Sequence, residues 1–215
     1  KSIDWGDAPD APYPTVAASN GANHKIDNIT YLGNSVDGEP DGQPDPNALG
    51  DDLDILFPPV NDDEDGVTFN TALIPGQAVT ITVVASVQGY LNAWIDFNFN
   101  GTWADAGEQI YTDLLLSPGS NVLNFTVPAS SGFGQTFARF RFASFQGLTF
   151  TGSADDGEVE DYEVYIIEEQ PEDSDWGDAP DSPYPTLSFN NGASHVVDGV
   201  TYLGAGVDIE PDGQP

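Results

Sequence analysis

The sequence predicts an all-β fold, an antiparallel β-sandwich of the Ig-like or jelly-roll-like kind, preceded by a loop-rich acidic segment. Between Gly66 and Ile167 short apolar-polar alternations are separated by Pro-Gly or Gly-rich turns, the period-two pattern of half-buried strands. Helical periodicity is close to nil. The stretch DWGDAPDAPYPT at Asp4–Thr15 also returns as DWGDAPDSPYPT at Asp175–Thr186, and Asp4–Pro44 aligns without a gap with Asp175–Pro215, more than two thirds of the positions being identical. The period from Asp4 to Asp175 exceeds the roughly 20–50 residues of solenoid repeats, so each unit should be a domain with its own core in a tandem array.

Residues 1–3 read as the end of a preceding linker, 4–65 as the acidic N-terminal segment of a repeat, 66–167 as the sandwich, 168–174 (EEQPEDS) as a short stiffened linker, and 175–215 as the start of the next repeat. In 4–65 the apolar pieces are short, Ile26–Gly33 and Leu53–Val60, among abundant Asp, Gly, Pro and Asn. Loops with a short hairpin are expected there. A flexible linker is the competing reading, but Trp5, Tyr13, His24, Tyr31 and Leu32 recur without insertion as Trp176, Tyr184, His195, Tyr202 and Leu203, a register that linkers seldom hold. Strands are expected at Val67–Asn70, Ala78–Ser86, Tyr90–Phe97, Gln109–Thr112, Asn121–Val127, Thr136–Ser144 and Val159–Ile167, a seven-strand set that suits a sandwich. In Thr136–Ser144, Ala138, Phe140 and Phe142 alternate with Arg139 and Arg141, so both guanidinium groups are expected to point outward, toward acidic residues of a neighbouring strand or unit.

Thirty-six acidic residues stand against four basic ones, a formal charge of −32. Such a balance disfavours nucleic acid and anionic membrane surfaces as partners, while the aromatic content of 11% argues against disorder. Self-repulsion on this scale is relieved by divalent cations. Cysteine and methionine are absent, leaving oxygen ligands and a composition that reads as a prokaryotic exoprotein, extracellular or at the cell surface, where calcium is abundant. No apolar run approaches a membrane span.

The most specific site pattern is WIDFNFNGTWADAGE at Trp94–Glu108. Asp96, Asn98 and Asn100 occupy alternate positions before the turn residue Gly101, the Thr102 carbonyl follows, and Glu108 closes the set, with Asp105 as a further candidate. Alternating oxygens around a glycine turn are the grammar of calcium loops, although the twelfth loop position is Gly107 and the flanking segments read as strands. An ion-free Asx turn is the alternative. Acidic runs at Asn61–Val67 (Asp62, Asp63, Asp65) and Asp155–Tyr162 (Asp156, Glu158, Glu160) are further metal candidates, as are Asp37, Glu39 and Asp41, whose acids recur at Asp208, Glu210 and Asp212. A solvated acidic rim is the competing reading. Trp103 and Tyr111 are candidates for an exposed sugar-binding platform, while Trp94 reads as core. Asn28, Asn100 and Asn124 begin N-x-Thr acceptor patterns.

GEVEDY at Gly157–Tyr162, WIDFNFNG with the later GE across Trp94–Glu108, and ARFR at Ala138–Arg141 together resemble the GEVED domain, a β-rich module of large, repetitive secreted bacterial proteins. The resemblance covers Gly66–Ile167. DWGDAP, YPT, the following His24, the GDD at Gly50–Asp52 and the DDEDGV at Asp62–Val67 are similar to the segment that commonly precedes that domain. It implies an extracellular, surface-associated or fibre-forming module with calcium sites and does not imply a catalytic activity; Asn100 departs from the aspartate expected at its loop position. The residues agree in offering no HExxH, GxSxG, cysteine nucleophile or phosphate loop, and His24 reads as a packing or hydrogen-bonding residue. The expected function is therefore a structural repeat unit of a calcium-stabilised extracellular filament or adhesin stalk, with other copies of the repeat as partners. The alternative is a calcium-dependent carbohydrate-binding module.

Overall fold

The computed structural model describes residues 2–50, 64–169 and 173–215. In chain order its strands are β1 (Ile3–Trp5), β2 (Asn23–Lys25), β3 (Val67–Phe69), β4 (Ala78–Ala85), β5 (Gly89–Ile95), β6 (Gln109–Leu116), β7 (Gly119–Thr126), β8 (Gly134–Ala143), β9 (Ser153–Ala154), β10 (Glu158–Ile166), β11 (Ser174–Trp176) and β12 (Ser194–Val196). All seven strands expected from alternation form. Among the described residues no helix is long and apolar enough to cross a membrane.

Two antiparallel sheets make the sandwich, one in the order β3-β4-β7 and the other β10-β8-β5-β6. Three strands against four, with the chain changing sheet between β4 and β5, is the Ig-like arrangement; jelly rolls take eight strands. Period two decides which side chains meet between the sheets. Val79, Ile81, Val83 and Ala85 of β4 pack against Leu91, Ala93 and Ile95 of β5 and Ala138, Phe140 and Phe142 of β8 in one buried cluster.

The N-terminal segment is an integral part of this fold. β1 and β2 form a short antiparallel ribbon, and β9 from the far end of the sandwich pairs with β2 in parallel. Residues 31–33 then run along the edge of the smaller sheet: Gly33 N donates to Val84 O at 2.9 Å and Ser86 N to Tyr31 O at 2.9 Å. This path drives Leu32 between the sheets, where it is fully buried in the main core cluster. The boundary expected at residue 65 therefore separates sequence textures and not folding units. Truncating Leu32 to alanine should destabilise the whole sandwich by about 2–5 kcal/mol, read as a lower urea midpoint with one cooperative transition for both parts.

Candidate functional site

The outer face of the four-stranded sheet carries the chemistry. In β8 the side chains that alternate with the core phenylalanines are Arg139 and Arg141, and both are buried. The outward guanidinium groups expected from alternation do leave the core, but the N-terminal segment covers them. Burying two like charges side by side is costly unless every donor is satisfied. A guanidinium has five N–H donors, and all five are used on each arginine. Arg139 pairs with Asp161 of β10 through Nε at 2.7 Å and Nη2 at 2.6 Å, and its other donors reach Pro14 O, Phe150 O and Thr15 Oγ1. Arg141 donates to His24 Nε2 at 2.9 Å and to the carbonyls of Thr149, Thr151, Asn23 and Gly152. Burial, then the charge of Arg139, pushes Arg141 down to about 9, still charged at neutral pH.

His24 is held as one neutral tautomer. Its Nε2 lone pair accepts from Arg141, and its Nδ1 sits 2.7 Å from Asp156 O, which needs the proton on Nδ1. Burial first, and Arg141 second, hold its pKa well below the usual histidine value. The expected hydrogen-bonding role is what the geometry gives.

The acids of Gly157–Tyr162 are buried, and their oxygens accept from backbone amides. Glu158 Oε2 accepts Leu32 N at 2.5 Å, Glu160 Oε1 accepts Gly66 N at 2.8 Å, and Asp161 Oδ2 accepts Ala8 N at 2.9 Å as well as Arg139. Val159 N donates in turn to Asp4 Oδ2 at 2.7 Å, and Tyr162 hydroxyl donates to Glu160 while accepting Val67 N. Gly157 has φ +96°, and a Cβ there would lie 1.9 Å from Phe142 O and 2.9 Å from His24 Nδ1. Only glycine lets β10 begin beneath the histidine. Glu158 and Glu160, expected as metal ligands, are thus placed as amide acceptors along the seam. Asp156 accepts Ser144 N and Oγ, and Asp65 accepts Asn34 N and Nδ2; Asp62 and Asp63 lie outside the described residues.

Within the segment, Glu39 accepts Trp5 N at 3.1 Å, Asp41 accepts Ala17 N at 2.7 Å at a 3-10 turn, and Asp37 lines a surface hollow with Ile26 and Val36. Three carboxylates with oxygens within 4.8 Å of one another occur among the described residues at Asp175, Asp208 and Glu210, counterparts of Asp4, Asp37 and Glu39.

The Trp94–Glu108 loop is brought together as a turn. Asp96 is buried; Oδ1 accepts Phe99 N at 2.7 Å, and Oδ2 accepts Gly101 N at 2.8 Å and the Tyr13 hydroxyl at 2.7 Å. Asp105 Oδ2 accepts the amide groups of Asn98 and Asn100 at 2.9 and 2.5 Å, which hold its carboxyl below the usual range. Thr102 N closes onto Asn100 Oδ1. Glu108 is buried, its Oε2 accepts Asp105 N, and its Oε1 has no hydrogen-bond partner. Burial, followed by the charges of Asp96 and Asp105, pushes Glu108 up to about 7. Gly101 has φ +81°, and a Cβ on it would sit 2.4 Å from Pro12 Cγ, so the loop packs directly on the N-terminal segment.

The aromatic platform is corrected by burial. Trp103 is 1% exposed, stacked at 4.5 Å on Tyr13 and under the Arg139 guanidinium at 4.6 Å, with its indole N–H on Phe137 O. It follows the turn glycine, as a surface residue would, but the N-terminal segment folds over it. Tyr111 lies in the main core with its hydroxyl buried, and Trp94 is core as expected. Asn28, Asn100 and Asn124 are exposed.

Fold and seam together define a class: a β-sandwich whose arginine-bearing outer face is closed by a strap from its own N-terminal side. Residues 90–165 match the family model of the GEVED domain, and the GEVED residues of that match, Gly157–Asp161, are those of the seam at the start of β10. No curated protein matches the chain.

Gly157→Ala should cost at least about 3 kcal/mol, because both the positive φ and the contact with Phe142 O must be relieved; denaturant titration reads it. His24 titrates in the unfolded chain near 6.5 and well below that in the fold. It therefore contributes stability that is present above about 6.5 and lost as pH falls below it, at roughly 1.4 kcal/mol per pH unit. Glu108 acts with the opposite sign between its ordinary value and about 7, but equally in parent and variant. The difference between parent and His24→Gln in urea titrations at pH 7.5 and 5.5 should thus shrink toward acid by the histidine contribution.

Proposed function

We propose that the chain is a non-catalytic structural repeat unit of an extracellular or cell-surface array, a filament or adhesin stalk, with successive repeats in contact and calcium stiffening the loop beside each seam. One observation carries this reading. A segment that is indispensable to one sandwich, supplying acceptors for two buried arginines and a core leucine, returns at Asp175–Pro215 with more than two thirds of its positions identical. A module that begins with its own strap and is followed by another is made to be chained. Absent cysteine and strong acidity support an exported setting.

The calcium part rests on Glu108. A buried carboxylate oxygen without a hydrogen-bond partner, near Asp96 and Asp105, is relieved by a cation. Asp96 already accepts three hydrogen bonds, so it would bind through Oδ1 alone, with Asp105, Glu108 and the Asn98 and Asn100 carbonyl groups completing the shell. At an ion concentration 100 times the dissociation constant one site adds about 2.7 kcal/mol, or roughly 5–10 °C in melting temperature for a domain of this size.

Thermal unfolding in millimolar calcium should therefore exceed that in excess EDTA by about that amount. Magnesium should not reproduce it, and Asp105→Asn with Glu108→Gln should abolish it. Equal melting temperatures in calcium and EDTA would remove the ion from the proposal. Electron microscopy of arrays of two, four and six repeats should give contour lengths that rise by a fixed increment in calcium; coiled, irregular lengths there would remove the stiff stalk.

A further inference from the structure

Residues 175–215 fold locally as residues 4–44 do. β11 pairs with β12 as β1 does with β2, with Asp175 opposite His195 as Asp4 is opposite His24. Trp176 N donates to Glu210 as Trp5 N does to Glu39, both at 3.1 Å. Thr186 Oγ1 donates to Ala179 O and Thr15 Oγ1 to Ala8 O, both at 2.7 Å. Ser188 N meets Asp212 as Ala17 N meets Asp41.

What differs is what covers them. Leu32 is fully buried, and its counterpart Leu203 is 96% exposed. Tyr13 is 5% exposed and Tyr184 61%, while His24 is enclosed and His195 lies in solvent. The counterparts of the four groups that serve the arginines, Pro185 O, Thr186 Oγ1, Ser194 O and His195 Nε2, stand ready in a frame already formed. Asp175, whose counterpart Asp4 accepts the Val159 amide, instead lies in a cluster with Asp208 and Glu210.

We infer that residues 175–215 are the docking strap of a second GEVED-type sandwich, seating Leu203 between its sheets and His195 on the second of two adjacent arginines. This rests on the repeat reading above and names the contact that joins its units; it does not depend on calcium. The first sandwich is not the occupant, because all ten guanidinium donors of Arg139 and Arg141 are already taken. The occupant is a sandwich with the same arginine pair and no strap of its own in place. Phe189, at the position of Ala18, stacks at 4.9 Å on Tyr165 of β10, so the strap of the second unit also touches the first, and its docking would set one sandwich against the next.

The test lengthens the full chain with a second copy of residues 45–169 after Pro215, which places behind the second strap the sequence that follows the first. Hydrogen exchange of peptides from 175–215, distinct in sequence from 4–44, is compared between the two lengths with and without calcium. Amides near Ala179 and Leu203, counterparts of those bound by Asp161 and Glu158, should slow by about a hundredfold or more in the longer chain. Leu203→Asp should leave the 215-residue chain unchanged and return the longer one to fast exchange. Unchanged exchange on lengthening overturns the inference whether or not the added sandwich melts cooperatively, and so does protection that Leu203→Asp fails to remove. A stable dimer of the unlengthened chain with 175–215 protected also overturns it, in favour of exchange between copies. Loss of the calcium shift alone would leave this docking standing, and unprotected straps would leave the calcium reading standing.

Discussion

Two buried guanidinium groups on neighbouring alternate positions of one strand set the terms for the rest of the molecule. Arg139 and Arg141 lie on the sheet face that a two-layer sandwich would leave wet, and a wet face would have hydrated them at no cost. Covered, they need ten acceptors and neutralising charge in a low-dielectric setting where an unpaired charge costs several kcal/mol. Asp161 supplies the direct counter-charge. The strap supplies Pro14, Thr15, Asn23 and His24, and the loop before β9 supplies Phe150, Thr149, Thr151 and Gly152. Strap, sheet and loop must therefore assemble together, since removing any one leaves charged donors stranded.

The same need for acceptors explains much of the acidity. A strap with two short strands has few ladder bonds, so its amides need other partners. Carboxylates fill that need: Asp10 accepts Thr15 N and Val16 N, Asp27 accepts Ile29 N and Thr30 N, Asp41 accepts Ala17 N, and Glu158 and Asp161 reach across from the sandwich to Leu32 N and Ala8 N. Asx turns and caps of this kind hold irregular backbone in one conformation. Carboxylates are suited because each offers several lone pairs in a compact group.

The strands were legible because hydropathy alternates where two sheets face each other, and that physics is local. The strap's importance was legible as well, through register kept between its two copies. What it does was not. Alternation places Arg139 and Arg141 correctly on the face away from the core but cannot tell water from a third layer, and Trp103 was misplaced for the same reason. The acids of β10 presented a like difficulty: a run of carboxylates reads alike whether it meets a cation, solvent or amides from the opposite end of the repeat. A usable signal existed in the repeat itself, since His24 and Thr15 return with the backbone spacing intact, as expected of side chains that answer fixed partners.

Strap and loop are finally one thermodynamic object. Tyr13 donates to the Asp96 oxygen that also caps Gly101, and Pro12 fills the space a Cβ on Gly101 would need. Anything that fixes the loop fixes Asp96 as an acceptor for Tyr13, and anything that seats the strap holds Asp96 in place for the loop. Linkage makes such effects reciprocal: a ligand that favours the ordered loop must favour the docked strap by the same free energy. The sign follows from valence. Asp96 keeps a lone pair on Oδ1 while Oδ2 serves the strap, so a cation bound there leaves Tyr13 its hydrogen bond and adds to docking instead of competing with it.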